Sequence, residues 1–393
     1  MKIELHMIQN FAPSCLNRDD TNSPKDCVFG GVRRARISSQ CIKRAIRRDF
    51  REAELIPAAN LGHRTKRLAE EVAKRLAEGA RDRATALTAA QVAIGGLGLG
   101  IKDNGQTEYL LFLGESGVET LVSLCEDNWE TLAVVAAKRK QAEEEGSKKT
   151  AKQAKKAAEE AVPDDIKKSA REVLDGTKAV DLALFGRMLA DRPGDNIDAA
   201  CQVAHAISTH KVEMEMDFFT AVDDLKPNEE DAGAGMMGVI GYNSACFYRY
   251  ALIDLDQLVG NLGGDRELAL RAVQAFLRAS ATAIPTGKQN TFAAHNPPDF
   301  ILAGARSKAA PLSLANAFAK PARPSRQADL TQVSVDQMKD YWDRAAAVYG
   351  AGDGMKGPFF CGLTKPAEPN GWKDVGSLDA LIAAVMQAVN GEA

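Results

Sequence analysis

The first 54 residues have the pattern of a strand, a loop and an amphipathic helix, and this pattern constrains the fold more than any other part of the chain. Lys2 to Phe11 alternates apolar and polar residues with the two-residue period of a half-buried strand. From Ser39 to Glu54, apolar residues recur at the spacing of a helix with one buried face. We expect the intervening residues 12 to 37 to form a loop. A strand, a loop and a helix in this order begin a split βαβ, ferredoxin-like unit.

The remainder of the chain predicts an α+β fold with a helical insertion. Residues 60 to 175 are rich in Ala, Glu, Lys and Arg at helical spacing, which predicts an inserted helical subdomain. The later segments are expected to be a strand at 243–254, a helix at 265–283, strands at 299–303 and 312–318, and helices at 331–349 and 378–389. This order of elements predicts an α+β core with outgrowths.

Positive charge is concentrated just before and within the first predicted helix. From Arg33 to Arg51 there are eight basic residues and one acidic residue, although the chain has a formal net charge of −3. Such a cluster predicts a local site for a polyanion, because each neutralised phosphate releases a counterion. Ser38 or Ser39 could cap the helix, and its free backbone amides would then face the same site. Charge alone also allows a solvated basic face on an ordinary surface helix.

Length and composition limit the class of protein. A chain of 393 residues with 45% hydrophobic content can bury a substantial core and form two or more domains. We expect a cytoplasmic protein without membrane contact, since no signal sequence and no apolar run of roughly 18 residues is present. The seven cysteines are dispersed and include no CxxC pair, so neither a disulfide framework nor a zinc site is predicted.

Motifs for catalysis or cofactor binding are mostly missing, and no cofactor is predicted. His205 and His210 are five residues apart, about 140° around a helix, so they are not expected to share a metal. The glycine-rich run at 95–100 lacks the spacing of a nucleotide-phosphate loop. One enzymatic alternative stays open, because the acidic pairs at 19–20 and 223–224 could bind Mg²⁺ in a ribonuclease.

Several sequence blocks, taken in order, resemble a known family. The blocks are SCLNRDD, KDCVFGGVRRARISSQCIKRAIR, FGRM, AHAISTH with DFFTAVDDL, FYRYALI, and PLSLANAF. They resemble the crRNA-binding backbone subunit (CasC) of the type I-E CRISPR Cascade surveillance complex. The resemblance extends over nearly the whole chain, and it is strongest in the first fifty residues and between about 180 and 319.

The resemblance implies three parts for the fold. An RRM-like (ferredoxin-like) palm would comprise residues 1–58 and 181–393, helical fingers would comprise 59–180, and a thumb insertion would comprise 200–240. The aromatic RNP motif with which ordinary RRM domains stack bases is missing. FYRY at 247–250 is expected to pack in the core instead. RNA binding is then expected from the basic loop and helix.

The resemblance also implies a function without catalysis. Copies would assemble head to tail along the spacer of the crRNA, hold its backbone, and displace one base at regular intervals so that the others pair with target DNA. The implied partners are the large PAM-recognising subunit, the small subunit, the crRNA 5′-end subunit, the crRNA-processing endonuclease and a recruited helicase-nuclease. The alternatives are a Mg²⁺-dependent ribonuclease, like backbone subunits of type III CRISPR systems, and a free-standing regulatory RNA-binding protein.

Residues that match the motifs of the family are the candidate contacts with the guide. Contacts with the sugar-phosphate backbone are implied for Asn17, Arg18, Lys25, Arg36, Ser38, Gln40, Lys43, Arg44 and Arg47. Lys288 and Gln289, in the loop PTGKQNTFAAHNP, are further candidates. Arg33 and Arg34 could instead serve a neighbouring subunit.

A second set of candidates concerns the displaced base. Met188 in FGRM matches the residue that wedges beside this base, a use of an apolar side chain seen in other nucleic-acid-binding proteins. Phe218, Phe219 and Thr220 match the thumb segment that covers the base.

Lysines in the predicted fingers are candidates for contact with target DNA. Lys148, Lys149 and Lys152 alternate with Ala and Glu, and Lys167 and Lys168 follow in DDIKKSAREVL. The alternative is a solvated helix, in which Glu and Lys pairs provide only solubility.

Overall fold

The computed structural model describes residues 1–102, 104–145, 157–158, 160–189, 192–221, 236–307, 310–350 and 354–391. The chain divides into two compact units. We call residues 1–55, 201–256 and 270–393 the sheet unit, and residues 56–200 and 257–269 the helical unit. The division into palm, fingers and thumb stays a prediction.

In the described residues, ten strands lie in the sheet unit and two short strands lie in the helical unit. The strands are β1 Lys2–Ser14, β2 Asp26–Phe29, β3 Val32–Ile37, β4 Gly62–Thr65, β5 Leu111–Gly114, β6 Cys201–Val203, β7 Ala206–Ser208, β8 Glu215–Ala221, β9 Met236–Asp254, β10 Phe300–Arg306, β11 Met355–Gly362 and β12 Lys373–Asp374. The order in the main sheet is β12-β11-β10-β1-β9-β7-β3-β2, and β6 and β8 also pair with β9. Strands β4 and β5 form a separate sheet.

The helices are of very different lengths. They are α1 Ser39–Glu52, α2 Leu68–Glu78, α3 Arg83–Gly96, α4 Glu115–Asp127, α5 Trp129–Glu145, α6 Asp164–Lys168, α7 Ala170–Val173, α8 Val180–Phe185, α9 Leu255–Asn261, α10 Arg266–Thr282, α11 Gln289–Phe292, α12 Leu330–Tyr349 and α13 Leu378–Asn390. None of those in the described residues is both long enough and apolar enough to cross a membrane. The predicted α+β class is confirmed.

Strand β1 lies in the middle of the main sheet and is buried on both faces. It pairs antiparallel with β9 on one side and with β10 on the other. The prediction of a half-buried strand is therefore wrong, because Glu4 and His6 on its polar face are also buried. Glu4 pairs with Arg306 at 3.0 Å, and the His6 ring lies 6.4 Å from that of Trp342 in α12. Burial, together with the charge of Arg306, lowers the pKa of His6 to about 3.

The predicted loop at residues 12–37 instead contains a β-hairpin, formed by β2 and β3. Its turn is made by Gly30 and Gly31, which have φ angles of 61° and 78°. Two consecutive left-handed residues suit the tight turn of a hairpin, and glycine adopts this conformation without steric cost. Gly30 also packs so closely that a Cβ atom there would lie 1.8 Å from the carbonyl oxygen of Ala319. The Gly-Gly pair was the sequence signal for this hairpin.

Most of the other predicted elements of the sheet unit are confirmed, with shifts of up to three residues at their ends except in β9, which begins seven residues before the predicted strand. The exception is the strand expected at 312–318, which is wrong: this segment ends in a 3₁₀ helix, Ala315–Phe318. Its Leu314 and Phe318 side chains are buried in the core formed around Phe300, and the Leu314 amide donates to the Tyr248 hydroxyl at 2.9 Å. An apolar run can thus be buried without forming a strand.

The helical unit has a core of its own. Leucine, alanine and valine side chains from α2, α3 and α4 pack together, as the helical spacing predicted. Asp82 caps α3 by accepting a hydrogen bond from the Thr85 amide at 2.8 Å. The two-stranded sheet of β4 and β5 had no clear signal in the sequence, since each strand has only four residues.

Candidate nucleic-acid interface

Helix α1 begins at an N-cap that leaves two amides available for an anion. Ser38 is the cap, and its Oγ accepts from the Cys41 amide at 3.3 Å, while its carbonyl accepts from Ile42 at 3.1 Å. Among the described residues, no acceptor is bonded to the backbone amides of Ser39 and Gln40. The start of a helix of 14 residues therefore presents N–H donors and the positive end of the helix dipole to solvent.

Asn17 ties the neighbouring loop to this helix start. Its Oδ1 accepts from the Ser38 amide at 2.8 Å, and its carbonyl accepts from the Lys25 amide at 2.9 Å. The Lys25 carbonyl in turn accepts from the Arg36 amide at 2.9 Å. These bonds place Lys25 and Arg36 beside the free amides of α1. Because the Asn17 side chain is used in this way, its direct effect is to position the loop.

The turn between Asn17 and Lys25 is held by Asp19. The Asp19 Oδ1 accepts from the Thr21 amide and hydroxyl at 2.9 and 2.8 Å, and from the Ser23 amide at 3.0 Å. The hydrogen bonds from Thr21 and Ser23 lower the pKa of Asp19. Arg18 is exposed and bonds to the Asn22 side chain. The carboxylate of Asp19 is thus occupied in stabilising the turn.

A second loop lies against this turn and adds Lys288. A Cβ atom at Gly287 would lie 2.3 Å from the Leu16 carbonyl oxygen, so glycine allows the two loops to pack closely. Gly287, Asn17 and Arg18 line one open cleft of about 380 Å³. Lys288 has a left-handed φ of 50°, an unfavourable conformation for a non-glycine residue, and is the N-cap of α11. The positive charges of Lys288 and Arg18 lower the pKa of Cys15, but burial has the larger effect and raises it.

Gln289 follows Lys288, but its side chain serves the loop. Its Nε2 donates to the Pro285 carbonyl at 3.0 Å and to the Ala294 carbonyl at 3.4 Å. Gln289 and Arg44 line a larger cleft of about 510 Å³ between α1 and the segment after α10.

The basic residues of α1 lie on different sides of the helix. Gln40 and Arg44 are exposed and one turn apart, whereas Lys43 and Arg47 are half-buried and one turn apart. Lys43 is close enough to Cys201 in β6 to act on its pKa. Arg48 pairs with Glu52 at 2.6 Å, so part of its charge is compensated. The apolar face is buried as the sequence predicted.

The surroundings of Arg33 and Arg34 differ, although the sequence made both of them candidates for contact with a neighbouring subunit. Arg34 is fully buried, and its guanidinium donates to the carbonyls of Phe29, Ser208 and Phe318 at 3.2, 3.1 and 2.7 Å. It therefore cannot reach another molecule, and it joins three segments of the sheet unit. Arg33 is exposed and forms an ion pair with Asp26. Sequence adjacency concealed this difference because successive residues of β3 point to opposite faces.

In the helical unit, Met188 is presented to solvent by a firmly held turn. It is 83% exposed. The buried Arg187 donates to the carbonyls of Phe112 at 3.1 Å and Leu174 at 2.7 Å, and the Leu189 amide donates to the Asn196 side chain at 2.5 Å. Anchors on both sides thus fix a large apolar side chain that is not part of the core.

Phe218, Phe219 and Thr220 lie in β8, which pairs with β9 to form a hairpin. Phe218 is 62% exposed and lies opposite Val239, which is also exposed. The Phe219 ring lies over Gly238, where a Cβ atom would be 2.4 Å from its Cζ. Sequence reasoning missed the apolar residues that share the Phe218 face: Met216, Met237 and Val239. Alternation of apolar residues in MMGVIG was the available signal.

Of the lysines proposed for target DNA, the described residues include only Lys167 and Lys168. Lys148, Lys149 and Lys152 lie outside the described residues. Lys167 donates to the Glu160 carbonyl at 2.8 Å, and Lys168 is exposed at the end of α6.

The histidines and acidic pairs considered for catalysis have different surroundings from those expected. His205 lies between β6 and β7 and His210 follows β7, so the assumption that they share a helix is wrong. In the described part of the chain, no three His, Cys, Asp or Glu side chains are grouped so that they could hold a metal ion. The pair at 223–224 lies outside the described residues.

Phe247, Tyr248 and Arg249 are buried, which confirms that FYRY packs in the core.

Comparison with known proteins identifies the family. Residues 3–384 match the family model described as CT1975-like protein. The chain belongs to the CT1975-like family. A comparison with curated proteins found no match.

Two solved structures are similar to this CT1975-like chain over almost its whole length. One is a chain of "CRISPR RNA-guided surveillance complex, pre-nicking", with 31% identity, a TM-score of 0.81, and coverage of 98% of this chain and 100% of that one. The other is a chain of "CRISPR RNA-guided surveillance complex", with 26% identity, a TM-score of 0.73, and coverage of 99% and 100%. The predicted resemblance to a subunit of a CRISPR surveillance complex is confirmed at this level.

Proposed function

We propose that this CT1975-like chain is the non-catalytic, crRNA-binding backbone subunit of a type I-E CRISPR Cascade surveillance complex. The carrying observation is that Lys25, Arg36 and Arg44 are gathered with the free amides at the start of α1 on one surface of the sheet unit. The similarity to chains of two CRISPR RNA-guided surveillance complexes supports the assignment.

The basic surface would bind the sugar-phosphate backbone of the guide. Backbone amides and basic side chains are donors for phosphate oxygens, and a helix start favours a negative charge. Donors of this kind make no contact with base edges, so the affinity does not depend on the guide sequence. Such a subunit would accept any guide and leave sequence recognition to base pairing.

Met188 and the β8–β9 hairpin would act on the bases. An exposed thioether held on a rigid turn can insert beside a base and unstack it. Phe218, Phe219 and Thr220 would cover the displaced base, as the thumb of the predicted palm, fingers and thumb arrangement. The remaining bases would stay available for pairing with target DNA.

The proposed assembly is cytoplasmic and contains several copies of this chain, arranged head to tail along the guide. Its other members would be the large PAM-recognising subunit, the small subunit, the crRNA 5′-end subunit and the crRNA-processing endonuclease. A recruited helicase-nuclease would cut the DNA. Lys167 and Lys168, with the predicted Lys148, Lys149 and Lys152, would contact target DNA in this arrangement.

The decisive experiment is nucleotide-resolution chemical probing of the RNA that copurifies with this chain and its neighbouring subunits, with and without Mg²⁺. We expect a protected guide with reactive bases at a regular interval and no cleavage. Cuts at that interval that require Mg²⁺ and disappear in Asp19→Ala or Asp20→Ala would show the ribonuclease instead. RNA bound to a monomer, with no regular interval, would show a free-standing RNA-binding protein.

A further inference from the structure

His205 lies next to the start of α1, although no RNA contact has been assigned to it. Strands β3 and β7 pair so that Arg36 is opposite Ile207 and Ile37 is opposite Ala206. Ser38 directly follows the paired residues of β3, and His205 directly precedes the paired residues of β7. The imidazole is exposed and adjoins the surface that carries Lys25 and Arg36.

Arg36 determines which nitrogen of His205 carries the proton. Arg36 Nη1 lies 3.1 Å from His205 Nδ1. A guanidinium has donors only, so Nδ1 must accept, and the proton of the neutral ring is on Nε2. In the part of the chain that the structure describes, no residue is hydrogen-bonded to Nε2. The ring thus presents an N–H donor to solvent.

His210, five residues later, provides an internal contrast. Its Nδ1 lies 2.7 Å from the Lys211 carbonyl, and its Nε2 accepts from the Cys246 amide at 3.2 Å. A carbonyl can only accept, so Nδ1 carries the proton, and both nitrogens of His210 are used within the fold. The two histidines of AHAISTH therefore differ in role: His210 is structural, and His205 has a donor available for a ligand.

We propose that His205 is a phosphate-binding residue of this surface and that it donates its Nε2 proton to a backbone oxygen of the guide RNA. The inference rests on the proposed function. It adds a ligand contact that the resemblance did not provide. It also implies that RNA binding is coupled to protonation, because a phosphate near the imidazole stabilises its charged form.

The charges around His205 determine the direction of this coupling. Arg36 on β3 and Lys25 before β2 act on the ring, and the acid beside Arg36, Asp26, is paired with Arg33. Partial burial, then Arg36 and Lys25, lower the pKa of His205 in the free chain. A bound phosphate would raise it. The complex then takes up a proton, so affinity increases as the pH falls through the pKa of the bound state.

The test compares binding of a single-stranded RNA of mixed sequence by the full chain at about pH 8 and about pH 5.5, on either side of the histidine range. His205→Gln keeps an N–H donor at the position of Nε2 but cannot become charged. We expect wild-type affinity to rise about three- to tenfold on acidification, since one pKa unit corresponds to tenfold. His205→Gln should bind like wild type at the higher pH and lose the increase. His205→Ala should bind about two- to tenfold more weakly at both pH values.

His63→Gln is the control for imidazoles elsewhere, because His63 lies in the helical unit and is paired with Glu115. It should keep the pH response of wild type. An unchanged pH response in His205→Gln, or wild-type affinity in His205→Ala at both pH values, would refute the role of His205. Absence of salt-dependent RNA binding by the wild-type chain would refute the proposed function itself, and thus the two failures are distinguishable.

Discussion

At the scale of residues, neighbouring basic side chains in one cluster have separate tasks. Arg34 is a buried cation that joins three segments through their carbonyls, and Arg48 is paired with Glu52. Arg44 is exposed beside the open start of α1. Charge counting along the sequence could not separate these roles, because they depend on which side of a strand or helix each residue occupies and on what packs against it.

Arg44→Ala should weaken binding of single-stranded RNA of any sequence. Arg44 is expected to neutralise one phosphate, so its loss should reduce the slope of log affinity against log salt by about 0.7. Arg48→Ala, one turn along the helix, is the matched control and should have a smaller effect because Arg48 is paired with Glu52. The measurement is a salt titration of affinity for two unrelated sequences. A loss confined to one sequence would contradict backbone binding.

Met188→Ala should affect bound RNA and leave stability almost unchanged. An exposed side chain contributes little to the core, so the free energy of unfolding should change by less than about 0.5 kcal/mol. The regular pattern of reactive bases should become blurred. Leu189→Ala, at the adjacent buried position, should instead lower the free energy of unfolding by about 2–5 kcal/mol. Chemical probing and urea unfolding measure the two effects, and an unchanged pattern in Met188→Ala would exclude the wedge.

At the scale of elements, the β2–β3 hairpin shows how backbone conformation places the basic surface. Its turn requires two left-handed residues, and its strand β3 leads directly into the N-cap of α1. Gly30 has a second constraint that Gly31 lacks, since only Gly30 packs against Ala319. The hairpin is thus held by its turn and by close packing at a single glycine.

Gly30→Ala should be more destabilising than Gly31→Ala. Both substitutions place a side chain at positive φ, which costs about 1–2 kcal/mol. A Cβ atom at position 30 would also overlap the Ala319 carbonyl, whereas no atom lies within 4 Å of a Cβ at position 31. Urea midpoints of the two variants provide the comparison. Equal midpoints would show that the hairpin moves away from Ala319 at little cost.

At the scale of the whole molecule, the sheet unit is organised around polar groups buried in the middle of its sheet. Glu4 on β1 pairs with Arg306 on β10 and accepts from the Leu312 amide at 2.7 Å. These bonds join the first strand to segments some 300 residues later in the chain. A buried carboxylate with these partners favours one arrangement of β1, β10 and the following segment.

Arg306→Met should be strongly destabilising, by about 3–5 kcal/mol, because it leaves the Glu4 carboxylate buried without its cation. The double variant with Glu4→Gln should recover part of this loss, since the neutral amide has a smaller desolvation cost. Both effects can be measured by urea unfolding. A double variant less stable than Arg306→Met would show that Glu4 is held mainly by its other hydrogen bonds.

The sequence by itself determined the α+β class, helix α1 with its serine cap, and the helices of the helical unit, because periodicity and capping are local properties of the chain. Blocks of residues in order also determined the resemblance to a CRISPR surveillance subunit. Local patterns failed where burial came from distant segments, as in β1, whose polar face is covered by α12, and in the segment 312–318, which is buried without being a strand.

Only the tertiary structure decided which candidate residues are available for a ligand. It buried Arg34, used Asn17, Asp19 and Gln289 within the fold, and left Arg44 and Met188 exposed. It also brought His205 beside Arg36, 169 residues earlier in the chain. The physical reason is that exposure, hydrogen-bond partners and the position of a proton depend on atoms from segments far apart in sequence, which periodicity and composition do not specify.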